Sequence, residues 1–349
     1  MKIFSIVGAR PQFIKLAPLS AALAGSHEEI IVHTGQHYDY ALSEKIFIDL
    51  EIRKPDIHLE INAGNPTLQI TQMMLKLESA MLEFKPDLVI VFGDTSSTFA
   101  GAIIAAKLNI PIVHIEAGLR SYNRRMPEEI NRLVTDHVSQ YLFAPTQTAF
   151  DILYKEGLGE KTSFTGDIMV DTIKNNLEIA LKKSSIISEL KLQNQPFHLL
   201  TLHRNYNVDD PKILEHLLNK LGQLNEKIIF PVHPRTRKMV DETYSVPNNI
   251  LLTDPKGYLD FIVLENSADK IITDSGGIQK EAYILKKPCI TLRTETEWVE
   301  TVDEKWNLLV DPSENDIAFK IESFKAAGNQ KEIFGKNVTE KMIQIINNI

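Results

Sequence analysis

The chain has 349 residues, 43% of them hydrophobic and 24% charged, with a formal net charge of −8 and one cysteine, Cys289. A chain of this length outgrows one hydrophobic core, so two domains are expected; a lone thiol excludes an internal disulfide framework, and no Cys/His spacing resembles a zinc site, so no metal is expected. The acidic balance argues against a nucleic-acid partner but leaves room for a nucleotide, whose diphosphate needs only a few local cations. The first apolar run is too short for a signal peptide and none approaches the length of a membrane span, so no membrane association and a cytoplasmic location are expected.

The N-terminal half alternates short apolar runs with helical pattern. Strands are expected at residues 2–8, 29–35, 56–61, 87–94, 111–118 and 140–146, and helices at 66–83 and 97–108. Strands alternating with helices of this length indicate βαβ units and a parallel sheet. The segment D-L-V-I-V-F-G-D, ending at Asp94, suits a central strand covered on both faces. The pattern restarts after a polar segment around residues 182–195, with strands expected at 197–203, 227–233, 249–253, 270–274, 288–293 and 307–310. The fold class expected is α/β, with two doubly wound, Rossmann-like domains.

In open parallel sheets ligands bind beyond the C-terminal ends of the strands, so the polar residues there are the ones to read. The first strand ends in G-A-R-P-Q-F-I-K. Gly8 permits a tight turn, and Arg10 and Lys15 near a helix N-terminus suit a phosphate, although an ordinary turn with solvated cations explains them as well. The next end reads G-D-T-S-S-T, where Asp94 or Thr95 can cap a helix. The strand P-I-V-H-I-E-A-G-L-R ends in Glu116, and a carboxylate at a buried strand end is costly unless paired or used. Glu128, in M-P-E-E-I-N-R, stands at a helix start, where acids are favoured. Asp94, Glu116 and Glu128 converging on one site would give proton donors and acceptors near neutral pH.

In the second half, one strand ends at His203-Arg204, and the next brings His233, Arg235 and Arg237, part of which reads as a solvated rim. In I-I-T-D-S-G-G-I-Q-K-E-A a strand ends at Asp274 and the small residues Ser275, Gly276 and Gly277 open a helix, leaving backbone N–H groups for an anion. Glu281, one turn in, can reach a ribose diol.

Taken in order, G-A-R-P-Q-F-I-K, G-D-T-S-S-T, H-I-E-A-G-L-R-S, P-E-E-I-N-R, L-H-R-x-x-N, H-P-R-T, Y-L-D-F and T-D-S-G-G-I-Q-x-E-A resemble the non-hydrolysing UDP-N-acetylglucosamine 2-epimerase family along essentially the whole chain. The resemblance implies a fold like that of GT-B glycosyltransferases, with the site in the cleft between two Rossmann-like domains. These are expected at residues 1–166, with a returning helix over 334–349, and at 167–333. It implies interconversion of UDP-GlcNAc and UDP-ManNAc by elimination and re-addition of UDP, with no redox cofactor. Asp94, Glu116 and Glu128 are then acid/base candidates and His203 serves the departing phosphate. Arg10, Lys15, Ser275, Gly276 and Gly277 hold the phosphates, Phe261 the uracil and Glu281 the ribose. A homodimer is the expected assembly.

The chain departs from the family where Trp298-Val299 replaces a common Arg-Pro, and where the segment between Leu119 and Pro127 is short and carries Arg124-Arg125. Relatives act on UDP-2,3-diacetamido uronic acids or deoxy-amino sugars, and that loop is where such a choice would be made. An allosteric second-substrate site is only partly suggested, by Gln36-His37. A hydrolysing relative, a GT-B transferase and a silent nucleotide-sugar sensor are the competing readings; the carboxylate trio favours epimerisation.

Overall fold

The computed structural model describes residues 1–36, 47–61, 65–232 and 234–349, and the chain divides into two compact units, Met1–Lys174 with Glu332–Ile349, and Asn175–Lys331. His37 and His233 lie outside the described residues. The division at Lys174 falls beyond the expected one at Gly166, inside a helix.

In the first unit the chain runs β1 (Lys2–Val7), α1 (Arg10–Leu23), β2 (Glu28–His33), β3 (Ile57–His58), α2 (Pro66–Phe84), β4 (Leu88–Phe92), α3 (Ser96–Lys107), β5 (Ile112–Ile115), α4 (Pro127–Val138), β6 (Tyr141–Ala144), α5 (Gln147–Lys155) and β7 (Thr162–Phe164). All neighbouring strands are parallel, in the order β3-β2-β1-β4-β5-β6-β7. β4 is buried along its whole length, as its unbroken apolar run requires with helices on both faces. β7 has three residues and no apolar run of its own, so only its pairing with β6 marks it as a strand.

Helix starts follow local chemistry. Asn65 caps α2 by accepting from Leu68 N at 2.8 Å, with Pro66 in the first turn. Thr95, not Asp94, caps α3, which leaves the Asp94 carboxylate for other work.

α6 (Met169–Lys183) leads into the second unit. Its strands are β8 (Phe197–Thr201), β9 (Lys227–Pro231), β10 (Ile250–Thr253), β11 (Lys270–Thr273), β12 (Cys289–Thr291) and β13 (Asn307–Leu309). Its sheet is parallel in the order β10-β9-β8-β11-β12-β13, repeating the winding of the first. The helices that matter for the site are α7 (Tyr258–Ser267), after β10, and α8 (Gly276–Ile284), after β11. In both sheets the winding reverses at the first strand, between β1 and β4 and between β8 and β11, which is where open sheets hold ligands. No helix among the described residues is long and apolar enough to cross a membrane.

The last helix, α9 (Val338–Ile346), belongs to the first unit and packs on α1 with Val338, Met342 and Ile346 buried. The entry of this segment is held by backbone: Asp167 N donates to Phe334 O at 2.9 Å, and Thr339 N donates to Asp171 Oδ2 at 2.7 Å. Met342→Ala is expected to lower the stability of the first unit by about 2–4 kcal/mol through the cavity it leaves. Urea unfolding measures this, and an unchanged midpoint would mean that α9 does not contribute to the fold.

Candidate active site

The turn after β1 is built around a side chain. Gln12 Oε1 accepts from Gly8 N at 2.8 Å and Ala9 N at 3.1 Å, while its Nε2 donates to Phe92 O and Thr98 Oγ1, both at 3.0 Å. One buried amide thus closes the turn and ties it to the end of β4. It also occupies two N–H groups that an open phosphate loop would present. Gly8 is needed for space rather than for a left-handed turn: a Cβ there would lie 2.0 Å from Thr34 Oγ1 and 2.3 Å from Ser97 Oγ. Arg10 begins α1 half-buried. Lys15 is buried, and its ammonium pairs with Glu116 Oε2.

β4 and β5 pair in register up to Phe92 and Ile115, so Asp94 and Glu116 emerge from adjacent strand ends, spaced about 5 Å apart as neighbouring strands are. Glu116 has a left-handed backbone, φ 70°, which costs a residue with a Cβ about 1–2 kcal/mol. Its side chain is 11% exposed. Asp94 Oδ2 receives Arg132 Nε at 2.9 Å and Nη2 at 2.5 Å, and Asn131 Nδ2 donates to Asp94 O at 2.8 Å. The helix that starts with Pro-Glu-Glu is therefore anchored to the β4 end by the N-R of P-E-E-I-N-R.

The two glutamates of that motif differ. Glu129 is buried and accepts from Ser121 N at 2.8 Å, Tyr122 N at 3.0 Å and Arg132 Nη1 at 3.1 Å. Burial opposes its ionisation, but the hydrogen bonds from Ser121 and Tyr122 and the Arg132 charge outweigh it, so its carboxyl lies below the ordinary range. It folds the 119–127 loop. Glu128 is half-buried with no hydrogen-bond or ion-pair partner among the described residues. Arg124 and Arg125 are exposed on the loop.

In the second unit, Asp274 at the end of β11 is fully buried and reaches across to the end of β8. It accepts from His203 N at 3.1 Å, Arg204 N at 3.0 Å and Asn207 Nδ2 at 3.0 Å. His203 Nδ1 lies 2.9 Å from Asp274 Oδ1, while the imidazole is 54% exposed. A carboxylate on Nδ1 sets the ring's tautomer and orientation and leaves Nε2 for a ligand. Burial disfavours the Asp274 charge, but the His203 and Asn207 bonds prevail and its carboxyl lies below the ordinary range.

Ser275, Gly276 and Gly277 open α8 as expected, with Ser275 N donating to Thr273 Oγ1 at 2.9 Å. The turn already has an anion beside it: a Cβ on Gly276 would lie 2.1 Å from Glu297 Oε1, and Arg293 Nη1 stands 3.0 Å from Glu297 Oε2. Gly277 is exposed, and a Cβ there would meet Ser275 Oγ at an ordinary contact distance of 3.8 Å. Arg204 Nε and Arg293 Nε are buried without hydrogen-bond partners among the described residues. Where many family members carry arginine, Trp298 is buried, and Lys280 Nζ sits 4.6 Å from its ring centroid. Phe261 is half-buried on the first turn of α7, and Glu281 is half-buried on α8. Burial pushes the Cys289 thiol up to about 12, which removes it as a nucleophile.

Gln12, Arg132, Asp136 and Asp274 escape a reading confined to single segments, because each acts on another strand end. For Gln12, Arg132 and Asp274 the available signal was their place inside motifs already singled out, P-Q, I-N-R and T-D-S; Asp136 lies in none of these. Acid sensitivity follows from the buried carboxylates. The groups whose folded values lie below the ordinary 3.8 of aspartate give stability that is complete above that value and lost as pH falls through the folded one. Urea unfolding of the second unit, followed by Trp298 and Trp306, should hold from pH 7 to about pH 5 and weaken below about pH 4. Asp274→Asn should flatten that acid limb, and an acid limb of wild-type steepness would remove Asp274 as its source.

The family model for UDP-N-acetylglucosamine 2-epimerase matches residues 21–347. A "UDP-N-acetylglucosamine 2-epimerase homolog" of Methanococcus maripaludis is 48% identical over all of both chains. The UDP-2,3-diacetamido-2,3-dideoxy-D-glucuronate 2-epimerase of Pseudomonas aeruginosa is 44% identical, over 91% of this chain and 90% of its own. The crystal structure of Methanocaldococcus jannaschii UDP-GlcNAc 2-epimerase with UDP-GlcNAc and UDP superposes with a TM-score of 0.92 at 39% identity, covering all of both chains. With two parallel Rossmann-like sheets and these motifs at their strand ends, the chain belongs to the UDP-N-acetylglucosamine 2-epimerase family.

Proposed function

We propose that the protein inverts carbon 2 of a UDP-linked 2-acetamido sugar, interconverting UDP-GlcNAc and UDP-ManNAc without hydrolysis. A carboxylate takes the proton from carbon 2 while the bond from carbon 1 to the diphosphate oxygen breaks, and UDP leaves with that electron pair. The sugar remains as a glycal. UDP then adds back to carbon 1 as a second acid delivers a proton to the opposite face of carbon 2. Atoms and charge balance without a redox cofactor.

The observation that carries this reading is the pairing of adjacent strand ends that bring Asp94 and Glu116 out together, with Glu116 on a left-handed backbone against Lys15. Strain of this kind persists where the surroundings over-determine it, as at catalytic positions. Asp94, Glu116 and Glu128 supply the acid and base for the two faces. His203, oriented by Asp274, protonates or stabilises the departing phosphate, where charge develops. Arg10, Ser275, Gly276 and Gly277 hold the diphosphate, and the buried nitrogens of Arg204 and Arg293 without partners suit it too. Lys15, whose ammonium pairs with Glu116, holds that carboxylate in place. Phe261 contacts uracil and Glu281 the ribose.

A second substrate has specific support. The P. aeruginosa uronate epimerase is as similar to this chain as are the UDP-GlcNAc enzymes, and the exposed Arg124-Arg125 pair offers cations to a sugar carboxylate. In heavy water, NMR should show deuterium at carbon 2 of a manno product from UDP-GlcNAc. Deuteration of the UDP-diacetamido uronic acid alone would reassign the substrate, and free UDP with free sugar would replace epimerase by hydrolase. Glu116→Gln should cut turnover by about 100-fold or more while UDP affinity, measured by calorimetry, holds; normal turnover would take Glu116 out of the reaction.

Assembly as a homodimer is part of the same proposal. Leu68, Leu75 and Leu82 recur every seventh residue on α2 and are 46%, 61% and 57% exposed, an apolar stripe that a second copy would cover. Sedimentation should give a dimer for the wild type and a monomer for Leu75→Lys. A dimeric variant would move the contact elsewhere.

A further inference from the structure

Asp136 lies on α4, far in sequence from the strand ends, yet it is fully buried beneath two of them. Its Oδ1 stands 2.6 Å from His114 Nδ1, and its Oδ2 accepts from Gly118 N at 3.1 Å and pairs with Arg120 Nη1 at 2.7 Å. His114, itself buried on β5, places its other nitrogen, Nε2, 2.7 Å from Gly93 O. A carbonyl can only accept, so His114 Nε2 carries a proton and donates to it. Arg120 in turn pairs with Glu156 Oε2 at 2.7 Å and donates to Leu119 O at 2.7 Å.

The groups held are informative. Gly93 immediately precedes Asp94, and Gly118 follows Glu116 by two residues; both glycines have left-handed backbones, φ 63° and 84°. The turn after β5 is pinned at consecutive amides, Ala117 N to Phe143 O at 3.1 Å and Gly118 N to Asp136. The turn after β4 is pinned at Gly93 O through His114. One carboxylate therefore restrains, directly or through one imidazole, the backbone on either side of the reacting pair.

Resting on the epimerase reading, we propose that Asp136 is a positioning residue for the reaction, a buried carboxylate that holds the Asp94 and Glu116 turns in a fixed mutual geometry through His114, Gly118 and Arg120. It touches no substrate. The burial penalty on its charge is outweighed by His114 and Arg120, and its carboxyl lies below the ordinary range, so it stays an acceptor throughout the pH range of the assay. Because proton transfer to carbon 2 depends on carboxylate placement within fractions of an ångström, loosening the turns should slow chemistry and spare ground-state binding.

Asp136→Asn keeps the shape but must set an amide N–H against one of three donors. It should lower kcat by about 30-fold, with KM and UDP affinity within about threefold, and speed amide exchange of the peptide spanning Glu116 to Arg120. Should Asp136→Asn fail to fold, His114→Asn keeps a donor near Asp136 and breaks only the link to Gly93 O. It should lower kcat by about tenfold with KM unchanged. Turnover within threefold of wild type, a rise in KM with kcat intact, or unaltered exchange at Gly118 would overturn the proposal. If the wild-type protein deuterates neither sugar, the epimerase reading fails on its own, and exchange at Gly118 in Asp136→Asn then decides whether Asp136 holds these turns.

Discussion

A carboxylate removed from water must find charge or hydrogen-bond donors, and in each unit one buried aspartate meets that demand by gathering strand ends. Asp136 and Asp274 are both fully buried, both accept backbone N–H groups from turns that follow strands, and both bind the Nδ1 side of a histidine. The difference lies in what the histidine does next. His114 is sealed in and donates to a backbone carbonyl. His203 is exposed, with its far nitrogen left for a ligand. The same device seals an imidazole between two turns in one unit and leaves one facing solvent in the other.

The sheet winding explains why the polar groups collect where they do. In each sheet the first strand lies in the middle, flanked by strands whose connections leave in opposite directions, so the loops beyond the switch point separate and leave polar space. The turns after β1, β4 and β5 meet there in the first unit. Gln12 stitches β1 to β4, Lys15 stitches α1 to Glu116, and Arg132 stitches α4 to Asp94. Buried ion pairs of this kind add little net stability, because desolvation cancels much of the Coulomb gain. What they add is a defined geometry, since removing either partner strands a charge.

The S-G-G turn of the second unit shows the balance between structure and ligand. A helix N-terminus attracts an anion, and Glu297 lies against its first residue with Arg293 behind. Glycine at 276 is required by that contact as much as by any ligand. Trp298, beside it, takes the Lys280 ammonium over its ring, so the family's common arginine is replaced by an aromatic that draws a cation from the neighbouring helix.

By itself the sequence determined the α/β class, twelve of the thirteen strands among the described residues to within a few residues, the returning helix after Phe334-Gly335 and the family, because alternating apolar runs, caps and ordered motifs are local signals that hydrophobic burial and helix chemistry translate directly. It also marked the strand ends as the place to look. Only the tertiary structure decided which partner each polar group takes. Gln12 in a presumed phosphate turn became a staple, Lys15 became the partner of Glu116, Thr95 rather than Asp94 took the cap, and Glu129 rather than Glu128 folded the loop. The far-reaching ones among these choices, Gln12 to Phe92 and Thr98 and Lys15 to Glu116, join residues 80 or more positions apart, and no pattern of propensity or period within one segment encodes them. The sheet order sets those distances, and the cost of burying an unpaired charge then selects the partners.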